Sequence, residues 1–402
     1  MDNTLPVISQ WNALDDSARK QLLQRPTQRN DQSLRAQVAD IISAVRANGD
    51  QALYRFSREF DQATLDRLDV PRSTIDAAAA AVSDDVLTAV DAAIDNITRF
   101  HSRQRPTEID LETTPGVRCQ RLWRPLDAVG LYVPGGSAPL ISTVMMLAIP
   151  AQLAGVQKRV LCTPPDSAGV IDPNLLAVAQ RCGVTDVFRV GGAQAIAALA
   201  YGTESIPRVS KIFGPGNSWV TMAKTLVTAA SDGTACDMPA GPSEVMVIAD
   251  REANPAFIAA DLLSQAEHGP DSQVILLTDD AGLAVAVREA LGQQLSALPR
   301  RAIASRALAE SSLIVAGTLD DALDIANDYA PEHLIINTAD PRRWLPQVRN
   351  AGSVFLGCWA PESVGDYCSG TNHVLPTYGW ARSYSGLSVS DFGRTMTVQQ
   401  LS

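Results

Sequence analysis

The first hundred residues carry apolar positions at the spacing of amphipathic helices. One stripe runs from Leu34 to Val45 and stops at Asn48-Gly49, a typical end signal for a helix. Asp50 can cap the helix that follows, and a further stripe begins near Ser83 and ends at His101. The pattern predicts helices here, with His101 packing at a helix end.

From Arg159 onward, short β-branched runs alternate with helical stretches, which is typical of parallel sheets with crossover helices. The predicted strands are Val160–Thr163, Asp186–Val190, Val245–Ala249, Val274–Thr278, Leu313–Ala316, Leu334–Asn337 and Val354–Leu356. So many strands predict an α/β fold of two units, with a break in the Pro/Gly-rich segment 237–242. The apolar run 140–155 is too short for a bilayer and predicts a buried helix.

Charge, the N-terminal sequence and the spacing of the cysteines limit the partners and the cellular location that we expect. The net charge of −11 and the absence of a Lys/Arg run argue against nucleic acid as a partner. The first 26 residues lack a secretory pattern, and the six cysteines form no C-x-x-C pair, so we expect a cytoplasmic protein with reduced thiols and no membrane association.

Polar residues gather in loops rich in Gly and Pro. These segments are YVPGGSAP (132–139), GGAQ (191–194), FGPGN (213–217), PAGPSE (239–244), SQAEHGP (264–270), APEH (330–333) and VGDYCSGTNH (364–373). None matches a G-x-G-x-x-G or P-loop pattern, so each alone is readily explained as a turn.

The helix before Gly269 gives the sharpest local signal. Asn254 caps it, Pro255 occupies its first turn, and Asp261, Gln265 and His268 share one face. Gln265 and His268 can reach one metal ion, although an amide is a weak zinc ligand. The spacing leaves open a metal site or a hydrogen-bonded helix end.

Glu332 and His333 stand side by side before an apolar strand, after Pro331. A carboxylate and an imidazole can share proton transfer when partial burial tunes both. The alternative is a surface carboxylate beside a strand-edge histidine. Three of the four histidines lie in polar loops with acidic residues, which favours a functional site. They are His268, His333 and His373.

Several long motifs in order resemble the histidinol dehydrogenase family. They are GPGNSWV, MPAGPSEVMVIAD, DLLSQAEHGPDSQVILLT, YAPEHLIINT, AGSVFLG and GDYCSGTNHVLPT, within a match over about residues 30–400. The resemblance implies NAD-dependent oxidation of L-histidinol to L-histidine through the aldehyde, with one zinc ion per subunit.

The resemblance also implies a homodimer with exchanged terminal segments and two incomplete Rossmann-like domains. The expected boundaries are a helical segment 1–28, a discontinuous first domain 29–130 and 242–382 with zinc and catalytic residues, an inserted NAD domain 131–241, and an exchanged segment from 383 to 402.

Carried onto this sequence, the resemblance assigns three groups of site residues. It puts zinc on Gln265, His268 and Asp366, which bind substrate together with Ser243, His333 and, in a lesser role, His373. It makes His333 the base and Glu332 the activator of water. It puts NAD against Tyr132, Gln194 and Asn217.

One departure concerns the end of the chain. Family members continue beyond VQQLS into a helical segment with a Glu that holds substrate and a His that binds zinc in the partner's site. This sequence stops at Ser402, as a shortened version or a natural variant, so we expect weak zinc binding and slow turnover. The alternatives are a dehydrogenase for another amino alcohol or polyol, a zinc hydrolase, and a binding protein without catalysis.

Overall fold

A computed structural model describes residues 5–26, 32–135, 140–239, 241–367 and 369–402. Its strands are β1 Val7–Gln10, β2 Ile109–Thr114, β3 Val117–Pro125, β4 Ala128–Tyr132, β5 Lys158–Thr163, β6 Asp186–Arg189, β7 Lys211–Phe213, β8 Ala235–Cys236, β9 Glu244–Ala249, β10 Gln273–Thr278, β11 Ser312–Val315, β12 His333–Asn337, β13 Ser353–Leu356 and β14 Gly393–Leu401. Its helices are α1 Asp16–Leu22, α2 Gln32–Phe60, α3 Arg72–Ala81, α4 Asp84–His101, α5 Ile141–Ala154, α6 Pro173–Arg181, α7 Gly192–Tyr201, α8 Ser218–Ala229, α9 Pro255–Ala266, α10 Ala281–Ala297, α11 Arg301–Ala309, α12 Leu319–Tyr329 and α13 Ser363–Tyr367.

Contacts divide the chain into two compact units. The first unit comprises Met1–Arg29, Met238–Asp366 and Leu375–Gly386, and the second comprises Asn30–Asp237, Tyr367–Val374 and Leu387–Ser402. Each has its own parallel sheet, as expected for an α/β protein.

The first unit is built on a six-stranded parallel sheet in the order β1-β11-β10-β9-β12-β13. Alternate residues of the central strands enter two different buried clusters. Strands covered on both faces explain why they read as continuous apolar runs in the sequence.

The second unit has a five-stranded parallel sheet in the order β6-β5-β4-β7-β8. The chain moves from β4 outward to β6, then returns to β7 on the other side of β4. The strand order therefore reverses between β4 and β7, and such a point is where open α/β sheets bind their ligands.

Helices α2, α3 and α4 pack into the second unit. The stripe on α2 joins the buried cluster formed by α7, α8 and the sheet. The α2 stripe is interrupted at the predicted place, because Gly49 has φ +50° and breaks helical geometry. Asp50 was expected to cap the helix after Gly49. Its carboxylate instead accepts hydrogen bonds from the amide and hydroxyl of Ser205.

The seven predicted strands all form, with ends within two residues of the prediction. Helix α5 confirms the buried helix, and His101 is a fully buried residue at the end of α4, bonded through Nδ1 to Gln104. The remaining strands were not predicted from the sequence. Among these are β4, whose run is interrupted by Gly130, and the antiparallel sheet β14-β3-β2, whose outer strands β2 and β14 are largely exposed.

The division by contacts differs from the predicted domain boundaries. Residues 30–130 group with the second unit, because the apolar stripe of α2 packs against α7. The N-terminal segment is not only helical, since β1 adds to the first sheet beside β11. In the described part of the chain, no helix combines the length and apolar character needed to cross a membrane.

Burial sorts the cysteines into reactive and unreactive thiols. Cys162 and Cys182 are buried, burial raises the pKa of Cys182 to about 12, and Cys358 is exposed. Since the thiolate is the reactive form, we expect N-ethylmaleimide to modify Cys358 in the native protein and to spare Cys162 and Cys182 until denaturant is added. Peptide mass spectrometry checks this, and rapid native modification of Cys162 would contradict it.

Candidate functional site

In the first unit, polar side chains collect at the amino ends of three adjacent strands. Glu244, Gln273 and His333 are the first residues of β9, β10 and β12, and the register places Glu244 beside Gln273 and His333 beside Val245. Parallel strands aligned in this way bring the loops that precede them to one edge of the sheet.

Glu332 and His333 form the centre of this edge. Their exposed fractions are 6% and 5%, so the surface alternative for this pair is wrong. Glu332 follows a turn at Ala330, where φ is +55°, and its carbonyl accepts a hydrogen bond from the amide of Ser353 at 2.8 Å. The tight turn and the next strand therefore fix the backbone that carries both side chains.

The peptide groups on both sides of Glu244 hold the two side chains. The Glu244 amide donates to Oε2 of Glu332 at 2.8 Å, and the Glu244 carbonyl lies 2.9 Å from Nδ1 of His333. A carbonyl only accepts, so Nδ1 carries the proton. In neutral His333 this leaves Nε2 with a free lone pair, which lies 3.9 Å from Oε1 of Glu362.

Burial shifts the pKa values of Glu332 and His333 in opposite directions. Loss of solvent, together with the nearby carboxylates of Glu244, Glu362 and Asp366, raises the pKa of Glu332 well above its usual value. Loss of solvent lowers the pKa of His333 to about 4, although its bond to the Glu244 carbonyl opposes this. His333 is therefore neutral at pH 7, as a proton acceptor must be.

Beside this pair, three side chains converge as candidate metal ligands. One donor atom each from His268, Glu362 and Asp366 lies within 4.8 Å of the other two. Gln265 is fully buried, and among the described residues neither of its side-chain amide atoms has a hydrogen-bond partner. Unsatisfied buried polar atoms beside an N/O donor set fit a metal ion such as zinc.

These donors lie at or beside the ends of two helices, α9 and α13. Asn254 caps α9 through the Ala256 amide, as predicted, and α9 ends at Ala266, so His268 lies in the following turn rather than on the helix. Glu362 and Asp366 are four residues apart at α13, a spacing that faces one direction on a helix. Burial raises the pKa of Asp366 to about 7, and Glu362 adds to this increase.

Glu362 is the residue of this group that the sequence analysis left unassigned. It is 1% exposed; its Oε2 accepts from Ser264, and its amide donates to Asp261. The signal that could have identified it is the four-residue spacing to Asp366. Ser243 lies half-buried just before β9, and its carbonyl accepts from the Gln273 amide.

In the second unit, the three predicted cofactor loops meet at Tyr132. Tyr132 ends β4 and its hydroxyl accepts from the Gly192 amide at 3.1 Å. Gly214 follows β7 with φ +127°, and a Cβ there would lie 2.0 Å from the Tyr132 carbonyl. The loops thus converge at the carboxyl edge, at the reversal of strand order.

The three predicted cofactor residues differ in exposure. Tyr132 and Gln194 are 3% and 2% exposed, and burial raises the pKa of Tyr132 to about 12. Asn217 is exposed, and its side-chain oxygen caps α8 through the amides of Trp219 and Val220. Of these three residues, only Asn217 is exposed to solvent. Tyr132 instead contacts the two neighbouring loops through its hydroxyl and its carbonyl.

A buried ion pair fixes the loop after β7. Lys224 and Asp237 pair with each other, Nζ of Lys224 donates to the Gly214 carbonyl at 3.0 Å, and the Gly214 amide donates to Asp237 at 2.7 Å. Both peptide groups of Gly214 are thereby held.

His373 belongs to the second unit, where its Nε2 lies 3.1 Å from the Ser142 hydroxyl on α5. Its predicted substrate role remains a prediction. Cys368, residues 136–139 of the YVPGGSAP loop and residue 240 of the PAGPSE segment lie outside the described residues.

The crowded position of Gly214 yields a stability prediction. Gly214→Ala is expected to lower the free energy of unfolding by roughly 3 kcal/mol, because the added methyl meets the Tyr132 carbonyl and φ is strained. The matched control is Gly292→Ala in α10, where the nearest atom is 3.4 Å away and helix propensity favours alanine. Urea denaturation measures both, and equal stability of the two variants would contradict the packing described for Gly214.

The comparisons with known proteins agree on one family. The family model for histidinol dehydrogenase matches residues 23–402. Histidinol dehydrogenase of Yersinia pestis is 55% identical over 391 residues, covering 97% of this chain and 87% of the relative. That of Escherichia coli K12 is 55% identical over 395 residues, covering 98% and 90%.

A solved structure agrees as well. Histidinol dehydrogenase from Elizabethkingia anophelis superposes with a TM-score of 0.94 at 46% identity, covering 100% of this chain and 91% of that one. Its likeness extends over both units described above. The chain therefore belongs to the histidinol dehydrogenase family, enzymes of histidine biosynthesis that oxidise histidinol.

Proposed function

We propose that this chain oxidises L-histidinol to L-histidine through L-histidinaldehyde, with NAD as the hydride acceptor and one zinc ion per subunit. His333 is the base, and Glu332 activates the water that the second oxidation requires. The observation that carries the proposal is the arrangement at Glu244, whose two peptide groups orient both side chains beside the candidate metal ligands.

The tautomer of His333 supports its role as the base. Oxidation of an alcohol requires removal of the hydroxyl proton as hydride leaves the carbon. Nδ1 is held by a carbonyl, so Nε2 is the atom that accepts this proton. The positive charge that then forms on the ring faces Glu362 at 3.9 Å, which stabilises it.

Glu332 suits the activation of water in the second step. An aldehyde must be hydrated before a second hydride can leave, and a carboxylate with a raised pKa removes a proton from water more effectively than an ordinary one. One oxygen, Oε2, is engaged by the Glu244 amide. The other oxygen, Oε1, then accepts a proton from water as water adds to the aldehyde, while protonated His333 returns the proton of the first step to the aldehyde oxygen. Neutral again, His333 takes a hydroxyl proton of the hydrate as the second hydride leaves, so no cysteine thioester is needed.

Gln265, His268 and Asp366 are the proposed zinc ligands, with Glu362 as a neighbour that is close enough to contribute. Zinc held by these residues would bind the substrate and so orient its reacting carbon. The buried amide of Gln265 and the three converging donors support this assignment. Ser243, next to Glu244, is the proposed further substrate contact, and His373 a secondary one.

The second unit supplies the proposed NAD site at the carboxyl ends of β4 and β7. NAD, when bound, accepts the hydride in each oxidation. The reversed strand order, the glycines at 192 and 214, and the exposed Asn217 at the start of α8 support this placement. Tyr132 and Gln194, which are buried, would lie beneath the cofactor and support the loops that bind it. The homodimer with exchanged segments stays a prediction.

The test is NADH formation measured at 340 nm from L-histidinol, histidinal and other amino alcohols and polyols, with and without added zinc. We expect histidinol and histidinal to be oxidised in preference to the others. NADH formation would exclude the hydrolase and the inactive binding protein. A strong preference for another alcohol would overturn the substrate assignment.

A further inference from the structure

A buried ion pair lies directly behind the proposed catalytic residues. Arg25 contacts the Glu244 carboxylate through Nε at 2.5 Å and through Nη2 at 3.1 Å. The side chains of Arg25 and Glu244 are 15% and 2% exposed. Two parallel bonds between a guanidinium and a carboxylate define both position and orientation.

Further contacts fix this pair within the first unit. The Arg25 guanidinium lies 3.8 Å from the ring centre of Tyr329 and donates to the Tyr329 carbonyl at 2.9 Å. The Tyr378 amide donates to Glu244 at 3.0 Å, and its hydroxyl donates to the Pro26 carbonyl. Both oxygens of the Glu244 carboxylate thus accept hydrogen bonds from defined neighbours.

Glu244 transmits this placement to the site through its backbone. Its side chain binds Arg25, while its amide binds Glu332 and its carbonyl binds His333. The first residue of a strand has little freedom once its side chain and both peptide groups are bonded. A displacement of the Glu244 side chain must therefore move the partners of both catalytic groups together.

An ion pair is a costly way to stabilise an interior, because well-packed apolar residues of similar size often serve as well or better. Its advantage is a defined geometry. We propose that Arg25 and Glu244 are positioning residues that set the orientation of Glu332 and His333, an inference that rests on the catalytic roles proposed above.

The variants separate charge from shape. Arg25→Met leaves Glu244 buried without its cation, and we expect kcat for histidinol to fall about 10- to 100-fold, as for residues that orient groups in contact with substrate. KM is expected to change little, since Gln265, His268 and Asp366 do not depend on Glu244. Arg25→Lys recovers part of the loss because it keeps the charge but not the paired bonds.

The double variant Arg25→Met/Glu244→Gln removes both charges and is expected to restore much of the kcat lost in Arg25→Met. If Arg25→Met does not accumulate as folded protein, Glu244→Gln carries the test, with the double variant again the more active. A double variant no better than either single change would overturn the inference.

A spectroscopic measurement reads the position of His333 directly. The chain has four histidines, so ¹⁵N-labelled histidine gives a simple spectrum that His333→Asn assigns. In the unaltered protein we expect the Nδ1-protonated tautomer at His333. In Arg25→Met we expect this signal to shift or broaden; an unchanged signal together with unchanged kcat would overturn the inference.

Controls separate positioning from stability and from the proposed function. Leu291→Ala removes a fully buried side chain in α10, and we expect it to lower stability while kcat per folded subunit is retained. If Glu332→Gln and His333→Asn are fully active, the proposed function fails. If they are inactive while Arg25→Met and Glu244→Gln are fully active, the positioning inference alone fails.

Discussion

His333→Asn is expected to lower kcat for both histidinol and histidinal by about 10²- to 10⁴-fold. Asparagine keeps an N–H group that can donate to the Glu244 carbonyl but lacks the basic Nε2 atom. Both oxidations are affected because a hydroxyl proton leaves in each, from the alcohol and then from the hydrated aldehyde. Steady-state NADH formation with each substrate measures the effect.

Glu332→Gln provides the contrast within the same site. The amide cannot take a proton from water, so the oxidation of histidinal should fall far more than the oxidation of histidinol to the aldehyde. Glu289→Gln, at an exposed position on α10, is the matched control and should leave both steps unchanged. Equal loss of both steps in Glu332→Gln would contradict the division of roles between the two side chains.

His268→Asn and Asp366→Asn are expected to weaken zinc binding on the order of 100-fold or more, because each removes a donor from the cluster that converges within 4.8 Å. Chelator competition followed by metal analysis measures the zinc retained per subunit. A ligand that binds only the folded state also stabilises it, so the thermal shift produced by zinc should shrink in parallel.

Glu362→Gln decides the composition of the zinc site. If Gln265, His268 and Asp366 suffice, this variant retains zinc, whereas a direct ligand role for Glu362 predicts a loss like that of Asp366→Asn. Cys358→Ser controls for metal bound by the exposed thiol. Retention of tight zinc by both His268→Asn and Asp366→Asn would rule out a metal site at this cluster.

The sequence was most informative where burial is uniform. Strands covered on both faces appear as continuous apolar runs, so β9, β10 and β12 were predicted within a residue or two of each end. The exposed strand β2 and the two-residue β8 carry no such pattern. Helix α2 was predicted from its stripe, but which sheet it packs against depends on the partner surface of α7.

Some residues of the site could be predicted from the sequence and others could not, depending on how far away in sequence their partners lie. Glu332, His333 and Gln265 stand in local motifs that were identified from the sequence. Arg25 does not, because its partner is remote in sequence: it binds a carboxylate 219 residues away. Contacts of that kind follow from the pairing of strands and cannot be read from local spacing.

The two units use opposite edges of similar sheets. In the second unit the glycine loops follow β4 and β7 at the carboxyl edge, where open α/β sheets ordinarily bind ligands. In the first unit Glu244 and His333 begin their strands, so the polar site lies at the amino edge. The general rule for open α/β sheets predicts a site at the carboxyl edge, so the rule alone does not predict the polar site at the amino edge of the first unit.

The most direct test of the proposed function is the number of NADH molecules formed for each histidinol consumed to completion by the purified protein. We expect two, with histidine as the product and no accumulation of aldehyde, because the proposed base and the proposed water-activating carboxylate lie in one site. One NADH per histidinol, with aldehyde released as the end product, would contradict it.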